Sequence, residues 1–217
     1  MKKIAVVLAG CGVFDGAEIH EATLSLLAID RAGASYEIFA PDIEQAHVVN
    51  HLTGKPTEER RNVLVESARI ARGKINNLVD FDSKKFDALL FPGGFGVAKN
   101  LCDYAFKGPD MSVNADVRNC VMAMYSAKKP IGALCISPVL IAGIIGAAEV
   151  TIGNDTATAD HIAAFGGQHI EASGSEIVID RQNKIVTSPC YMLDANISTV
   201  YDGARKVVEA LFQLVEE

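Results

Sequence analysis

The chain has 217 residues, of which 49% are hydrophobic and 22% are charged, a composition typical of one globular α/β domain whose core needs no disulfide bonds. Its 20 Lys and Arg residues stand against 27 Asp and Glu residues, which gives a net charge of −7, and only 6% of the residues are aromatic. An acidic chain without basic runs is a poor nucleic-acid binder, so we expect no nucleic-acid partner.

The N-terminus resembles a lipoprotein signal, because Met1-Lys2-Lys3 precedes an apolar run that ends in Leu8-Ala9-Gly10-Cys11. That run spans about six residues, whereas the core of a signal peptide needs about 7–15. We therefore predict a buried first strand instead of a signal. No apolar stretch reaches the roughly 18 residues of a membrane span, so we expect no membrane partner.

Strands and helices alternate along the chain. Short apolar runs that end at Gly, Pro or a polar turn predict strands at residues 3–9, 36–40, 87–91, 130–134, 149–152, 176–180 and 184–187, the last two as a hairpin. Apolar residues at helical spacing predict helices at residues 19–33, 60–72, 116–127, 138–145 and 194–215. The polar residues 42–58 indicate an insertion. This β-α-β alternation predicts one α/β domain over residues 1–217, with a parallel sheet sandwiched between helices.

The five cysteines are irregularly spaced and contain no Cys-x-x-Cys pair; they are Cys11, Cys102, Cys120, Cys135 and Cys190. An odd number at such spacing predicts neither a disulfide framework nor a zinc ribbon. Free thiols are typical of a reducing compartment, so we expect a cytoplasmic protein.

Cys135 follows the predicted strand 130–134 directly and precedes a helix with Pro138 at its start. A cysteine at such a junction lies on the sharp turn of a nucleophile elbow, with a thiol in place of the serine. Ligands of open α/β sheets bind at these carboxyl ends of strands, and the free N–H groups of a helix N-terminus favour a thiolate. We predict a reactive thiolate, with a small buried core cysteine as the alternative.

Two further segments are expected at the same edge of the sheet. Gly93 and Gly94 follow the strand at 87–91, and an N–H group here, with that of Ile136, could bind an oxyanion, although any tight loop uses glycines. Glu18 and Glu21 lie in the first turns of the first predicted helix. A carboxyl buried beside a thiol becomes neutral and donates a hydrogen bond or moves protons, whereas acids at a helix start also simply complement its dipole.

The histidines give weaker signals. His47 and His51 are four residues apart, which suits a metal on a helix, but two ligands are too few, and we expect neither a metal nor a cofactor. His20 adjoins Glu21, and adjacent helical residues point about 100° apart, so we expect His20 at the rim of the pocket or facing a partner subunit, where it would assist catalysis. His161 and His169 reach the site only if the tertiary fold brings them there.

Several segments resemble the PfpI and protein-deglycase superfamily, which shares the class I glutamine amidotransferase fold. The motifs concerned are the first strand followed by Glu21, Phe91-Pro92-Gly93-Gly94 with Lys99-Asn100-Leu101, and Leu134-Cys135 with Pro138. More closely, the chain resembles the ElbB branch, called enhancing lycopene biosynthesis protein or sigma cross-reacting protein, at residues 10–21, 50–54, 61–64 and 187–193.

The resemblance implies a flavodoxin-like, three-layer sandwich of the class I glutamine amidotransferase type, and commonly a homodimer. It implies that Cys135 is the nucleophile, that Glu21 is its carboxyl partner, and that Gly94 and Ile136 donate N–H groups to the oxyanion. The implied activity is that of a weak, glutathione-independent glyoxalase, a lyase that converts the small carbonyl glyoxal to glycolate.

Two departures from the superfamily narrow the choice of function. Ile136 follows the cysteine where PfpI-type proteases have His, and no His follows His169, whereas amidotransferases carry a late His and Glu. A peptidase or an amidotransferase is therefore disfavoured. Two function classes stay open, a slow glyoxalase-like enzyme and a stress- or redox-responsive protein that uses the same thiol. Sustained turnover of glyoxal distinguishes the enzyme from a thiol that reacts once.

Overall fold

A seven-stranded sheet runs through the centre of the protein in the computed structural model, which describes residues 1–217. The strands are β1 (Lys3–Val7), β2 (Ser35–Ala40), β3 (Val49–Asn50), β4 (Lys55–Pro56), β5 (Asn76–Asn77), β6 (Ala88–Phe91), β7 (Ile131–Leu134), β8 (Glu149–Val150), β9 (Gln168–His169), β10 (Val178–Asp180) and β11 (Ile185–Ser188). The helices are α1 (Ile19–Arg31), α2 (Val63–Ile70), α3 (Tyr104–Lys107), α4 (Ala115–Ser126), α5 (Ser137–Ile145), α6 (Thr156–Ala164) and α7 (Ile197–Glu216). One π-helical turn covers Val97–Leu101, and short 3₁₀-helices cover Leu78–Asp80, Ser83–Lys85, Gly108–Asp110 and Cys190–Met192.

The strand order in the main sheet is β10-β11-β7-β6-β1-β2-β5, and every neighbouring pair is parallel except the β10–β11 hairpin. Alternate residues of β1 and of the two residues after it enter different apolar clusters, with Ile4 and Val6 in one and Ala5 and Val7 in the other. Successive side chains of a strand point to opposite faces, so helices cover both faces of the sheet. The cluster that contains Ile4 includes α1 and α7, and the other includes α4 and α5. The predicted three-layer, flavodoxin-like α/β fold is confirmed.

Most predicted elements occur within a few residues of their predicted ends, including the β10–β11 hairpin. The helix expected at residues 60–72 begins only at Val63, because the side chain of Asn62 caps its first turn by accepting a hydrogen bond from the N–H of Val65. Helices α3 and α6 were not predicted. In α6 only Ile162 is buried, so its sequence lacks the apolar repeat that identifies a helix.

Residues 42–58 contain the short β3–β4 hairpin, which lies over the loop that follows β1. His51 accepts a hydrogen bond from the N–H of Phe14 on Nε2, at 3.2 Å, and its Nδ1 lies 2.9 Å from the carbonyl oxygen of Val49. His47 and His51 therefore do not share a helix face, and both ring nitrogens of His51 have backbone partners. No group of three or more His, Cys, Asp or Glu side chains is arranged to hold a metal ion. None of the helices combines the length and the apolar character that crossing a bilayer requires.

Candidate functional site

Cys135 occupies the turn between β7 and α5 with a φ of +58°, in the left-handed region that non-glycine residues adopt at a cost of about 1–2 kcal/mol. Its N–H donates a hydrogen bond of 3.0 Å to the carbonyl oxygen of Ser188, the last residue of the neighbouring strand β11. Ser137 donates from its buried hydroxyl to the carbonyl oxygen of Pro92, at 2.8 Å, which ties the start of α5 to the loop after β6. This is the strand-to-helix turn that the sequence predicted.

The carboxyl group of Glu21 is held against Cys135 by three parts of the chain. Glu21 is the third residue of α1 and has no exposed surface. Its Oε2 accepts a hydrogen bond from the N–H of Gly93 at 2.9 Å, and its Oε1 accepts one from the N–H of Tyr191 at 3.1 Å. The Cys135 thiol lies beside this carboxyl, since a Cβ atom on Gly93 would lie 2.6 Å from Oε2 of Glu21 and 3.0 Å from the sulfur. Burial raises the pKa of Glu21 to about 8, although these hydrogen bonds act in the opposite direction. At neutral pH the carboxyl is therefore mostly protonated.

The expectation of a resting thiolate is not met. Cys135 is 8% exposed, and burial, aided by the charge of Glu21 when that group is ionised, raises the pKa of the Cys135 thiol well above its ordinary value. The backbone N–H groups of Gly94 and Ile136 lower it, but less than burial raises it. These are the two groups predicted to bind an oxyanion, and in the resting site they face the sulfur atom. The N–H groups thus lower the pKa of Cys135 as predicted, but desolvation raises that pKa by more.

The other predicted site residues have different contacts. Glu18 caps α1, because its Oε2 accepts the N–H of Glu21 at 2.7 Å, and its own N–H donates to the carbonyl oxygen of Gly93 at 2.9 Å. Gly93 thus orients Glu21 through its N–H and Glu18 through its carbonyl oxygen. Because that N–H already donates to Glu21, it is not available to an oxyanion. His20 is exposed and does not contact Cys135; its Nδ1 lies 2.9 Å from the phenol oxygen of Tyr191.

The loop at Gly93 approaches the site so closely that it has no room for a side chain. A Cβ atom on Gly93 would lie 2.3 Å from the Cβ of Cys135 and 2.6 Å from Oε2 of Glu21. Gly94 has a φ of +101°, and a Cβ there would lie 2.4 Å from the backbone nitrogen of Glu18. Glycine at both positions lets the backbone N–H groups reach the thiol and the carboxyl.

The sequence analysis assigns no role at the site to the residues that follow β11. Cys190 is fully buried with a φ of +44°, and Tyr191 supplies one of the two N–H groups on Glu21. In the parallel pair β7–β11, Leu134 stands opposite Ser188, so the residues after Ser188 lie beside the elbow. Both strands were predicted from the sequence. Pairing them in parallel would have identified Cys190 and Tyr191 as site residues.

The remaining histidines contact other parts of the fold. The phenol oxygen of Tyr104 lies 2.8 Å from Nδ1 of His161, at the contact between α3 and α6. His169 lies in β9, and His47 packs edge-on against Phe106. None of these side chains contacts Cys135 or Glu21.

The raised pKa of Cys135 leads to an expected pH dependence of alkylation. Because only the thiolate reacts, the rate of labelling with iodoacetamide should rise about tenfold per pH unit from about pH 7 to pH 9, without reaching a plateau. Peptide mass mapping of Cys135 at timed intervals measures this rate, with glutathione labelled in parallel as the reference thiol. A rate that is already constant below pH 7 would show a resting thiolate and contradict the structure.

The chain is similar to curated proteins over nearly its whole length. It is 45% identical to the rat "ES1 protein homolog, mitochondrial" over 222 residues, which covers 98% of this chain and 84% of the relative. It is 44% identical to the human "glutamine amidotransferase-like class 1 domain-containing protein 3, mitochondrial", with 98% and 83% covered. A scan of protein-family models finds no match.

Solved structures share the fold. An isoprenoid biosynthesis protein with an amidotransferase-like domain from Ehrlichia chaffeensis superposes with a TM-score of 0.93 at 38% identity, covering 99% of both chains. Glyoxalase III from Candida albicans superposes with a TM-score of 0.61 at 15% identity, covering 96% of this chain and 97% of its own, and at that identity the likeness concerns the fold alone.

The relatives correct one expectation and establish the family. Those from rat, human and zebrafish are all named mitochondrial, so the expectation of a cytoplasmic protein is wrong. Free thiols indicate a reducing compartment without specifying which one. Given the identity to the rat and human relatives and the superposition on the Ehrlichia structure, the chain belongs to the ES1 and ElbB-like family of class I glutamine amidotransferase-like proteins.

Proposed function

We propose that the protein is a glutathione-independent, glyoxalase-like lyase that converts small reactive carbonyls, in particular glyoxal, to 2-hydroxy acids. The observation that carries this proposal is the contact between the thiol of Cys135 and the fully buried carboxyl of Glu21. This pair combines a nucleophile with a group whose pKa of about 8 lets it both take up and return a proton near neutral pH. A glyoxalase shares the fold, so the architecture accommodates such chemistry.

The proposed reaction needs no oxidant. The sulfur of Cys135 adds to one aldehyde carbon of glyoxal, and the thiol proton passes by way of Glu21 to the carbonyl oxygen, which gives a hemithioacetal. Glu21 then moves the proton of that carbon to the neighbouring carbon, and the hydroxyl proton passes to the second oxygen. The product is the thioester of glycolate, which water hydrolyses to glycolate and the free thiol. The N–H groups of Gly94 and Ile136 stabilise the oxyanion while the sulfur is bonded to carbon.

The protonation of the site explains a low rate at neutral pH. With a pKa of about 8, Glu21 is a carboxylate in about one molecule in ten at pH 7. Only this fraction accepts the proton of the Cys135 thiol. The activity should therefore rise as the pH increases through 8.

The burial of Cys135 favours small substrates. At 8% exposure Cys135 offers little surface, which favours a small dialdehyde over a peptide bond of a protein, because the latter needs an open cleft. A surface cleft of about 870 Å³ is lined by residues of α1, β2 and the segment 70–76 and includes neither Cys135 nor Glu21. A redox-responsive protein is less well supported, because its thiol must rest as a thiolate to react with an oxidant, and burial here opposes that form.

Turnover of glyoxal tests the proposal. We expect wild-type protein to form many equivalents of glycolate, and Cys135→Ala to lower glycolate formation to the rate without protein. Cys120→Ala is the matched control, since Cys120 is buried in α4 away from the site and should leave turnover unchanged. Enzymatic detection of glycolate over time gives the readout.

Two outcomes would contradict the proposal. One equivalent of product followed by inactivation would favour a stress- or redox-responsive protein with the same thiol. Full activity in the Cys135→Ala variant would remove the cysteine from the mechanism.

A further inference from the structure

We propose that His20 and Tyr191 form a proton-transfer pair that hydrolyses the thioester on Cys135, the last step of the proposed glyoxalase reaction. The inference rests on the proposed function for its natural substrate. It adds a second set of catalytic groups, distinct from the Cys135–Glu21 pair, and assigns them to a different chemical step.

Tyr191 connects the buried pair to the surface through two of its groups. Its backbone N–H donates to Oε1 of Glu21 at 3.1 Å, and its phenol oxygen lies 2.9 Å from Nδ1 of His20. The two rings are 5.9 Å apart at their centroids and are inclined by 49°. His20 is exposed and directly precedes Glu21 in α1. The phenol thus lies between a solvent-facing imidazole and the segment that holds Glu21.

Hydrolysis requires a base that Glu21 does not readily supply. Glu21 has no exposed surface, so a water molecule that arrives from the solvent does not meet its carboxyl group directly. The side chain of Glu18 is engaged at the start of α1, where it accepts the N–H of Glu21. Ile136 takes the place of a histidine after the nucleophile. His20 is exposed, and its imidazole is hydrogen-bonded to the phenol of Tyr191, so these two groups are the ones that we assign to the incoming water.

The electrostatics keep the phenol protonated and therefore able to relay a proton. Partial burial and the carboxyl groups of Glu18 and Glu21 raise the pKa of Tyr191 above its ordinary value. A neutral phenol accepts a proton on its oxygen while it donates its own, which a phenolate does not do. When the proton of His20 is on Nε2, Nδ1 is free to accept the phenol proton.

The step balances in atoms and protons. The attacking water gives a proton to the phenol oxygen of Tyr191, whose own proton passes to Nδ1 of His20. The resulting hydroxide bonds to the thioester carbon. The tetrahedral intermediate then breaks its carbon–sulfur bond, the sulfur recovers the proton that the relay had taken, and the acid leaves. One water is consumed, and nothing is oxidised or reduced.

An acyl-transfer assay that does not use glyoxal tests the pair. We expect nitrophenyl acetate to acetylate Cys135 with a burst of nitrophenolate, and mass spectrometry of the protein follows the loss of the acetyl group. We expect Tyr191→Phe and His20→Asn each to keep the burst and to slow the loss of acetyl about a hundredfold, the size of a general acid–base contribution. The acetylated enzyme accumulates in these variants.

The chain provides matched controls in a second Tyr–His pair. Tyr104 and His161 are joined at 2.8 Å, remote from Cys135, so Tyr104→Phe and His161→Asn should lose acetyl at the wild-type rate. Cys135→Ala should show no burst.

The outcomes separate the two proposals. Unchanged acetyl loss in the Tyr191 and His20 variants overturns the pair, and an equal reduction of burst and acetyl loss assigns those side chains a structural role and overturns it as well. A wild-type protein that cycles on nitrophenyl acetate in a manner dependent on the pair, but not on glyoxal, removes only the glyoxalase assignment. The absence of any burst in the wild type overturns the pair, and turnover of glyoxal by the same preparation decides the glyoxalase assignment separately.

Discussion

Replacing Glu21 with Gln should remove a large part of the pH dependence of folding stability between about pH 5 and pH 8. In the folded protein burial raises the pKa of Glu21 to about 8, against an ordinary value of 4.5 for an unfolded chain. A raised pKa means that the folded state binds this proton more tightly than the unfolded state. The stabilisation is complete below the ordinary pKa and is lost as the pH rises towards 8. The loss is about 1.4 kcal/mol per pH unit, or about 5 kcal/mol in total.

The measurement is urea unfolding at a series of pH values for the wild type, Glu21→Gln and Glu58→Gln. The side chain of Glu58 is exposed, so the stability curve of its variant should follow that of the wild type. Gln at position 21 places an amide group against the N–H of Gly93 or Tyr191, which lowers stability by a similar amount at every pH. The decisive quantity is therefore the pH dependence of the difference between the two curves. Parallel curves for the wild type and Glu21→Gln would refute the protonated, buried carboxyl.

Replacing Gly93 with Ala should lower glyoxal turnover at least about a hundredfold and the free energy of unfolding by about 1–3 kcal/mol. The added Cβ would lie 2.3 Å from the Cβ of Cys135, 2.6 Å from Oε2 of Glu21 and 3.0 Å from the sulfur. One of these groups has to move, and the contact between thiol and carboxyl is lost with it. Turnover and urea unfolding are measured on the same preparation.

Gly33→Ala separates a loss of stability from a loss of the site. Gly33 has a φ of +70° and nothing within 4 Å of an added Cβ, so this change strains the backbone without touching Cys135. We expect it to cost about 1–2 kcal/mol while turnover stays at the wild-type level. Wild-type turnover in Gly93→Ala would show that the close approach of the loop does not matter for the chemistry.

The sheet and the elbow could be predicted because their signals are local. Buried parallel strands appear in the sequence as continuous apolar runs, and Cys135 directly follows one of these runs. The burial of Glu21 is not local, since it depends on Gly93 and Tyr191, which the fold brings to α1 from distant parts of the chain. The partner of His20 lies 171 residues away for the same reason.

The protonation of Cys135 shows where local reasoning from sequence fails. The N–H groups at the start of α5 and in the glycine loop do reach the sulfur, as expected, and they lower the pKa of Cys135. Desolvation by the whole fold outweighs them. No sequence pattern encodes that amount of burial, because it is set jointly by α1, the loop after β6 and the residues after β11. Helix α6 was missed for a related reason, since a mostly exposed helix has little apolar repeat.

The protonated state of Glu21 also changes the charge that an arriving molecule meets near Cys135. A count of charged residue types gives −7 and treats this carboxyl as an anion, although at neutral pH it carries almost no charge. The proposed nucleophile Cys135 therefore lies beside a carboxyl group that carries almost no charge, although the protein as a whole is acidic. Uncharged electrophiles approach such a protein without Coulomb repulsion, whereas its net negative charge opposes the approach of anionic metabolites. Selectivity between these two kinds of molecule is thus present before any specific contact forms.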